Sequence, residues 1–241
     1  MLILGLDTAT ATASVALIRG KGLLAEEILN IPQKTHSKKL LPVLARLLTG
    51  AGVQIEDVDA FAVSAGPGSF TGLRIGLGTG KGFAHALSKP LITVPTLDAL
   101  AYNYYFPGAI ICPLLDAKQG LLYTALYRGE ASGPRRETDY LALPPQGVVE
   151  YLSPGEEPVI LLGDGIGLLG KAVWAQLGER AFVVPAASCL PRASSVAFLG
   201  QRALGENPQG DPLTVEPLYV RKSAAELNLK KRRLAGGARK F

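Results

Sequence analysis

Apolar positions follow two rhythms along this chain, and the switches between them predict its elements. Residues 2–7, Leu2-Ile3-Leu4-Gly5-Leu6-Asp7, read as a strand. Two more follow at 13–18 and 23–29, separated by the turn Arg19-Gly20-Lys21-Gly22. From 37 to 48 the spacing becomes helical, with Leu40, Leu41, Leu44, Leu47 and Leu48 on one side and Gly50 or Gly52 as the stop. A strand at 58–64 leads through Ala65-Gly66-Pro67-Gly68-Ser69-Phe70 into a helix over 71–87, which Ser88 and Pro90 close. A second series begins at 109, where a continuous apolar run over 109–115 ends in Asp116 and 121–127 reads as its neighbouring strand. Helices at 145–152, 168–177 and 194–204 then alternate with strands at 158–162 and 182–184. Residues 128–144 lack a clear period and fit a third strand with an irregular approach.

Three strands, a helix, a strand and a helix form the ribonuclease-H-like order. The restart at 109 repeats its logic, because Asp7 and Asp116 each close an apolar strand just before a hairpin partner. The expected fold is therefore α/β, with two ribonuclease-H-like lobes of the actin-like ATPase (ASKHA) superfold. The lobes are placed at 1–106 and 107–222, with a basic tail at 223–241.

Charge is unevenly placed. Residues 221–241 hold eight Lys/Arg against the single acid Glu226, a net of +7 that exceeds the +5 of the whole chain and leaves residues 1–220 at −2. Such a tail reads either as an auxiliary, phosphate-seeking arm for RNA or as a solvated terminus. Cys112 and Cys189 lie far apart in apolar or small-residue stretches and read as packing residues, which fits a reducing compartment. With no basic leader and no apolar run long enough to span a bilayer, a cytoplasmic protein with no membrane partner is expected.

Catalytic patterns fail residue by residue. His36 and His85 are 49 positions apart and cannot share a helical face as metal ligands. Ser69 has Pro67 where a nucleophile elbow needs glycine. Lys81 has Ile75 and Gly82 where a phosphate-binding loop needs Gly and Ser or Thr. Gly165-x-Gly167-x-x-Gly170 does match a dinucleotide fingerprint, but Glu179 comes too soon to hold a ribose. Asp7 with Thr8, Thr10 and Thr12 resembles the first phosphate loop of actin-like ATPases, and reads equally as a turn satisfied by its own hydroxyls. Asp7, Thr8, Gly165 and Gly167 are thus the candidate contacts for ATP or ADP. The alternative function they carry is a small-molecule kinase or ATPase.

The helix after Phe70 holds five glycines in the twelve residues 71–82. Each costs about 0.5–1 kcal/mol relative to alanine inside a helix, so something must approach closely in return. Gly72, Gly76 and Gly80 form one stripe, which Gly78 and Gly82 widen. The approaching element is either the chain's own helix at 37–48 or a helix of another subunit.

The segments Ile3-Leu4-Gly5-Leu6-Asp7-Thr8, His36-Ser37-x-x-Leu40-Leu41-Pro42 and Gly66-Pro67-Gly68-Ser69-Phe70-Thr71-Gly72-Leu73-Arg74-Ile75-Gly76 resemble the bacterial TsaB (YeaZ) family. The resemblance returns at Glu216-Pro217-Leu218-Tyr219-Val220-Arg221. It implies a non-catalytic role in forming threonylcarbamoyladenosine at position 37 of tRNAs that read codons beginning with adenine. The implied partners are the transferase paralogue TsaD, which carries a metal-binding histidine pair, and the ATPase TsaE, with tRNA as substrate of the complex. By resemblance, the two N-lobe helices form both the TsaD contact and a homodimer contact. That maps the interface onto His36, Leu40, Leu41, Leu44, Phe70, Thr71, Gly72, Arg74, Ile75, Gly76, Thr79 and Gly80. A departure lies at Asp116-Ala117-Lys118 with Leu121, where the family tends to have Asp-Ala-Arg and a later Glu. Lysine cannot reproduce an arginine fork.

Overall fold

The computed structural model describes residues 1–30, 36–152, 154–206, 212 and 214–221; the expected tail at 223–241 lies outside them. The first sheet contains β1 (Leu2–Asp7), β2 (Thr12–Arg19), β3 (Gly22–Asn30), β4 (Ala60–Gly66) and β5 (Leu91–Pro95) in the order β3-β2-β1-β4-β5. β1 pairs antiparallel with β2 and parallel with β4. The period-two alternation of strand side chains gives each face its own core. Leu2, Leu4 and Leu6 meet α1 (His36–Ala51) and α2 (Phe70–Ala86) on one face, through Leu40, Val43, Leu44, Leu47 and Leu77. Ile3, Ala60, Ala62, Ile92 and Val94 turn to the other.

The second sheet repeats the order. Its strands are β6 (Ile110–Asp116), β7 (Leu122–Thr124), β8 (Tyr127–Glu130), β9 (Gly133–Arg136), β10 (Leu141–Leu143), β11 (Val159–Leu162) and β12 (Ala181–Val183). Along β10-β7-β6-β11-β12, β6 takes the central place of β1. The strand expected over 121–127 is broken: β7 pairs Leu114–Asp116 and β8 pairs Ile110 and Ile111. At the break Leu126 N donates to Thr138 Oγ1 at 2.9 Å. The third strand breaks with it, β9 pairing β8 and β10 pairing β7, and this places the irregular stretch 128–144. Helices α4 (Pro145–Leu152) and α5 (Lys171–Leu177) cover one face of this sheet.

The lobes exchange helices. α3 (Thr96–Tyr102), which no sequence pattern marked, buries Leu97, Leu100 and Ala101 against Ile111, Leu115 and Ile160 of the second sheet. Its Asp98 accepts hydrogen bonds from Tyr127 (2.6 Å) and Tyr140 (2.9 Å) of the second lobe. α6 (Ala193–Glu206) folds back onto the first sheet, burying Val196, Ala197 and Leu204 among Ile3, Ala60, Ala62, Ile92 and Val94. Gly5 makes room for the Ala193 carbonyl at this crossing. The expected division at 106/107 thus runs between α3 and the second-sheet residues on which Leu97 and Leu100 pack, and it groups α6, which packs on the first sheet, with the second lobe.

Residues 214–221 form a strap across the first lobe toward the second. Leu218 N donates to Ala65 O at 2.7 Å. The Leu218 carbonyl would lie 2.6 Å from a Cβ on Gly66, whose φ of +112° already favours glycine. At the strap's end Arg221 donates to Ala117 O (3.2 Å) and Gln119 Oε1 (3.1 Å). A guanidinium fork thus reaches the loop after β6 from the strap, whereas the loop's own Lys118 pairs with Asp116.

Candidate functional site

α2 begins where Ser69 accepts a bond from Gly72 N as its N-cap. Its inner stripe is shaped for the lobe itself. A Cβ on Gly72 would strike the Thr8 carbonyl, and one on Gly76 the Thr8 hydroxyl. One on Gly80 would lie 2.5 Å from Val63. Thr8 Oγ1 donates to Gly72 O at 2.7 Å, and Ser69 N donates to Ala9 O at 2.6 Å. Hence the expected partner of this stripe, whether the 37–48 helix or another subunit, is replaced by the loop after β1 and the sheet beneath it.

The outer stripe is different. Around Gly78 and Gly82 no neighbouring atom of the described residues lies within 4 Å of an ideal Cβ. Beside them Thr71, Arg74 and His85 are exposed and Ile75 and Thr79 half-buried. On the adjacent α1, Leu41 is 53% exposed, next to exposed Pro42 and Ala45. Of the interface residues expected from sequence, Thr71, Ile75 and Thr79 lie along this side of α2, and Leu41 is exposed on α1. Leu40 and Leu44 are not exposed, because they sit in the core under α1. Gly72, Gly76 and Gly80 face inward, Phe70 is engaged with the strap through Tyr219, stacked on it at 4.9 Å, and the Arg74 guanidinium lies 4.0 Å from the Phe70 ring. His36 opens α1, and its side chain lies outside the described set. Gly78 and Gly82, read from sequence as widening the inner stripe, stand on the opposite side of α2 from it, and the sequence pattern did not single out the exposed Ala45.

The candidate nucleotide contacts are committed elsewhere. Thr8 is buried on Gly72. Gly165 lies against Leu114 and Leu122 within a turn of 3₁₀ helix, and of the pair only Gly167 is exposed. Asp7 is fully buried, its Oδ1 accepting from Ala9 N at 2.9 Å, while its Oδ2 and the Ser64 hydroxyl lack a partner in bonding geometry among the described residues. Burial raises the Asp7 carboxyl from 3.8 to about 6, against the weaker pull of Ala9 N and Ser64. Burial likewise pushes the Cys112 thiol up to about 12, as suits a packing residue. Among the described residues, no three His, Cys, Asp or Glu side chains converge as a metal-ligand set, and no helix is long and apolar enough to cross a membrane.

The Asp7 shift has a measurable consequence. Its folded pKa is raised, so the folded state holds its proton longer than the unfolded state does. Stability is full below about pH 4 for this group and falls as pH rises toward 6, by about 2–3 kcal/mol once the carboxyl is ionised. Asp7→Asn, neutral at every pH and able to donate to Ser64, should raise the urea midpoint near pH 8. Near pH 4 the gain should vanish. Parallel pH profiles for the two proteins would contradict this account.

Two sheets of matching strand order, each opened by a strand ending in aspartate, define a protein of the actin-like ATPase superfold with ribonuclease-H-like lobes. The family model described as TsaD, tRNA N6-adenosine threonylcarbamoyltransferase, matches residues 23–229. The tRNA threonylcarbamoyladenosine biosynthesis protein TsaB of Bacillus subtilis (strain 168) is 33% identical over 231 residues, covering 94% of this chain and 96% of its own. The TsaB of Escherichia coli (strain K12) is 31% identical over 232 residues, covering 93% and 96%. A crystal structure of an uncharacterized protein with similarity to peptidase YEAZ, from Pseudomonas aeruginosa, superposes with a TM-score of 0.78 at 30% identity, covering 91% of this chain and 99% of that one. The chain belongs to the TsaB family, whose proteins serve tRNA threonylcarbamoyladenosine biosynthesis.

Proposed function

We propose that this chain is a non-catalytic, cytoplasmic subunit that binds the threonylcarbamoyltransferase TsaD through the outer faces of α1 and α2. The complex so formed modifies adenosine 37 of tRNAs reading codons that begin with adenine, with a TsaE-like ATPase joining it. The observation that carries this reading is the outer stripe. Gly78 and Gly82 weaken α2 by about 0.5–1 kcal/mol each, and nothing among the described residues requires their lack of a side chain. A helix laid against that stripe could approach α2 at backbone distance, with the exposed Leu41 and Ala45 of α1 as further apolar contacts. The same surface can be shared with a second copy of the chain, so homodimer and heterodimer would compete. No nucleotide is assigned to this subunit, because Asp7, Thr8 and Gly165 are buried among the chain's own groups and leave Gly167 alone exposed of the four candidate contacts.

Leu41→Glu tests this directly. The side chain is exposed, so the melting temperature should change little, while capture of TsaD should fall by about tenfold or more, the loss of about 1.4 kcal/mol or a hot spot's worth. Unchanged capture by a folded Leu41→Glu protein would move the interface elsewhere.

A further inference from the structure

α1 and α2 are the basic part of a body that is otherwise acidic. Together they hold Lys38, Lys39, Arg46, Arg74 and Lys81 and not one Asp or Glu, whereas the rest of residues 1–220 carries 12 Lys/Arg against 19 Asp/Glu. Lys38 and Lys39 stand in the first turn of α1, where the helix dipole disfavours a cation. Arg46 meets Glu27 of β3 at 2.7 Å, and the Arg74 guanidinium lies over the Phe70 ring. Lys38, Lys39 and Lys81 make no ion pair or hydrogen bond among the described residues; the first two are exposed and the third is half-buried. Helical spacing sets these cations beside small and apolar positions. Lys38 shares a face of α1 with the exposed Leu41 and Ala45, while Arg74 and Lys81, seven residues apart, run along one flank of Gly78 and Gly82 on α2.

We propose that the outer faces of α1 and α2 take a partner helix whose apolar seam is flanked by Asp and Glu, and that the same cations hold off a second copy of this chain. A two-fold pair lays one patch against itself, so the cations of each copy would find cations and no carboxylate of these helices opposite. Like charges brought together across an interface oppose association, while opposite charges steer encounter and fix register. Choice between a partner and a copy is a difference of two affinities, and this pattern raises the one as it lowers the other. The seam between the cations favours a protein over a nucleic acid. RNA would match the cations with phosphates but leave Leu41, 53% exposed, and Ala45 without apolar cover. The proposal rests on the reading that TsaD docks on this face and adds the chemistry that its docking helix carries.

The test follows TsaD binding by calorimetric titration and self-association by sedimentation velocity, both on the full chain, from about 0.05 to about 0.5 M salt. TsaD binding should weaken about tenfold across this range, while self-association should strengthen as the repulsion is screened. Lys38→Glu and Lys81→Glu should each weaken TsaD binding about tenfold at low salt, and the double variant should self-associate more tightly than wild type. Lys171→Glu, the same change on an exposed residue of α5, should alter neither. TsaD binding that ignores both salt and the two reversals would overturn the proposal. So would a double variant that self-associates no better than wild type. Loss of binding to a labelled tRNA in the reversals, with TsaD binding unchanged, would assign the cations to RNA and overturn it as well. If Leu41→Glu abolishes TsaD capture while the reversals leave it intact, docking on this face stands and selection by charge falls. If none of the three changes affects capture, the docking reading falls with it.

Discussion

Gly76→Leu is expected to unfold the first lobe, while Gly78→Leu, two positions along the same helix, is expected to leave it folded and to abolish partner capture. The inner position faces the Thr8 hydroxyl, with Val63 3.5 Å from an ideal Cβ, and both belong to the central strands of the sheet or the loop between them. A leucine there cannot be relieved by turning a flexible side chain. Overpacking usually costs about 1–3 kcal/mol, and a clash that also breaks the Thr8–Gly72 bond should exceed about 4 kcal/mol, much of a domain's total stability. At Gly78 the space is open, so leucine removes a helix-weakening glycine and should raise thermal stability slightly. It also fills the outer stripe. Circular dichroism melts and a capture assay on both variants decide the matter. A folded Gly76→Leu protein would mean that the helix can shift off the sheet, and would return the inner stripe to the list of interface residues.

This pair also shows what was legible in the sequence and what was not. The strands at 2–7, 13–18 and 23–29 and the helices at 37–48 and 71–87 follow from apolar pattern and punctuation: the helices turn one apolar face to the core, β1 and β2 are short apolar runs because both of their faces are buried, and Gly, Pro or a capping residue marks the ends. The excess of glycine in α2 was equally visible, and so was the need for a close neighbour. Which neighbour it was could not be read, since Thr8 lies 64 residues from Gly72 and spacing along a helix says nothing about what crosses it. β5 was missed although Leu91-Ile92-Thr93-Val94 between Pro90 and Pro95 is a strand signal of the ordinary kind. α3 is harder: at seven residues it has too few turns to show a period. The site was partly legible. Leu41 and Leu44 both appear as members of one apolar helical pattern, and only the packed structure shows that the first lies outside the core and the second within it.

The exchange of helices between lobes was invisible for the same reason. α6 follows the second lobe in the chain, yet the groups that satisfy its first turn come from the first lobe. Ser14 Oγ accepts from Ala193 N at 3.0 Å, and Glu26 Oε1 accepts from Ser194 N at 3.0 Å and from its hydroxyl at 2.7 Å. The other carboxylate oxygen of Glu26 takes the guanidinium of Arg192. A helix start normally finds such acceptors in its own N-cap. Here strands β2 and β3, more than 160 residues earlier, supply them. Residues 1–106 alone would therefore leave the face of the first sheet that carries Ile3, Ala60 and Ala62 without α6.

Glu26→Ala is expected to be among the most destabilising single changes in the protein, at about 3–5 kcal/mol. The carboxylate is 5% exposed and serves four donors at once, so its loss strips a buried helix terminus of its acceptor and leaves Arg192 without a partner there. Glu26→Gln keeps one oxygen for Ser194 but turns an amide toward Arg192, and should cost less. The decisive reading is local. In Glu26→Ala, hydrogen exchange should quicken in α6 and in the strands beneath it before it does in β6 and β11, because the fastening lost is that of α6 to the first sheet. A double-mutant cycle with Arg192→Ala separates the ion pair from the cap: coupling that accounts for most of the loss assigns it to the pair, and small coupling assigns it to Ser194. If Glu26→Ala lowers stability by less than about 1 kcal/mol, or exchange quickens evenly through both sheets, then α6 is held by its apolar face alone and the polar cap is incidental.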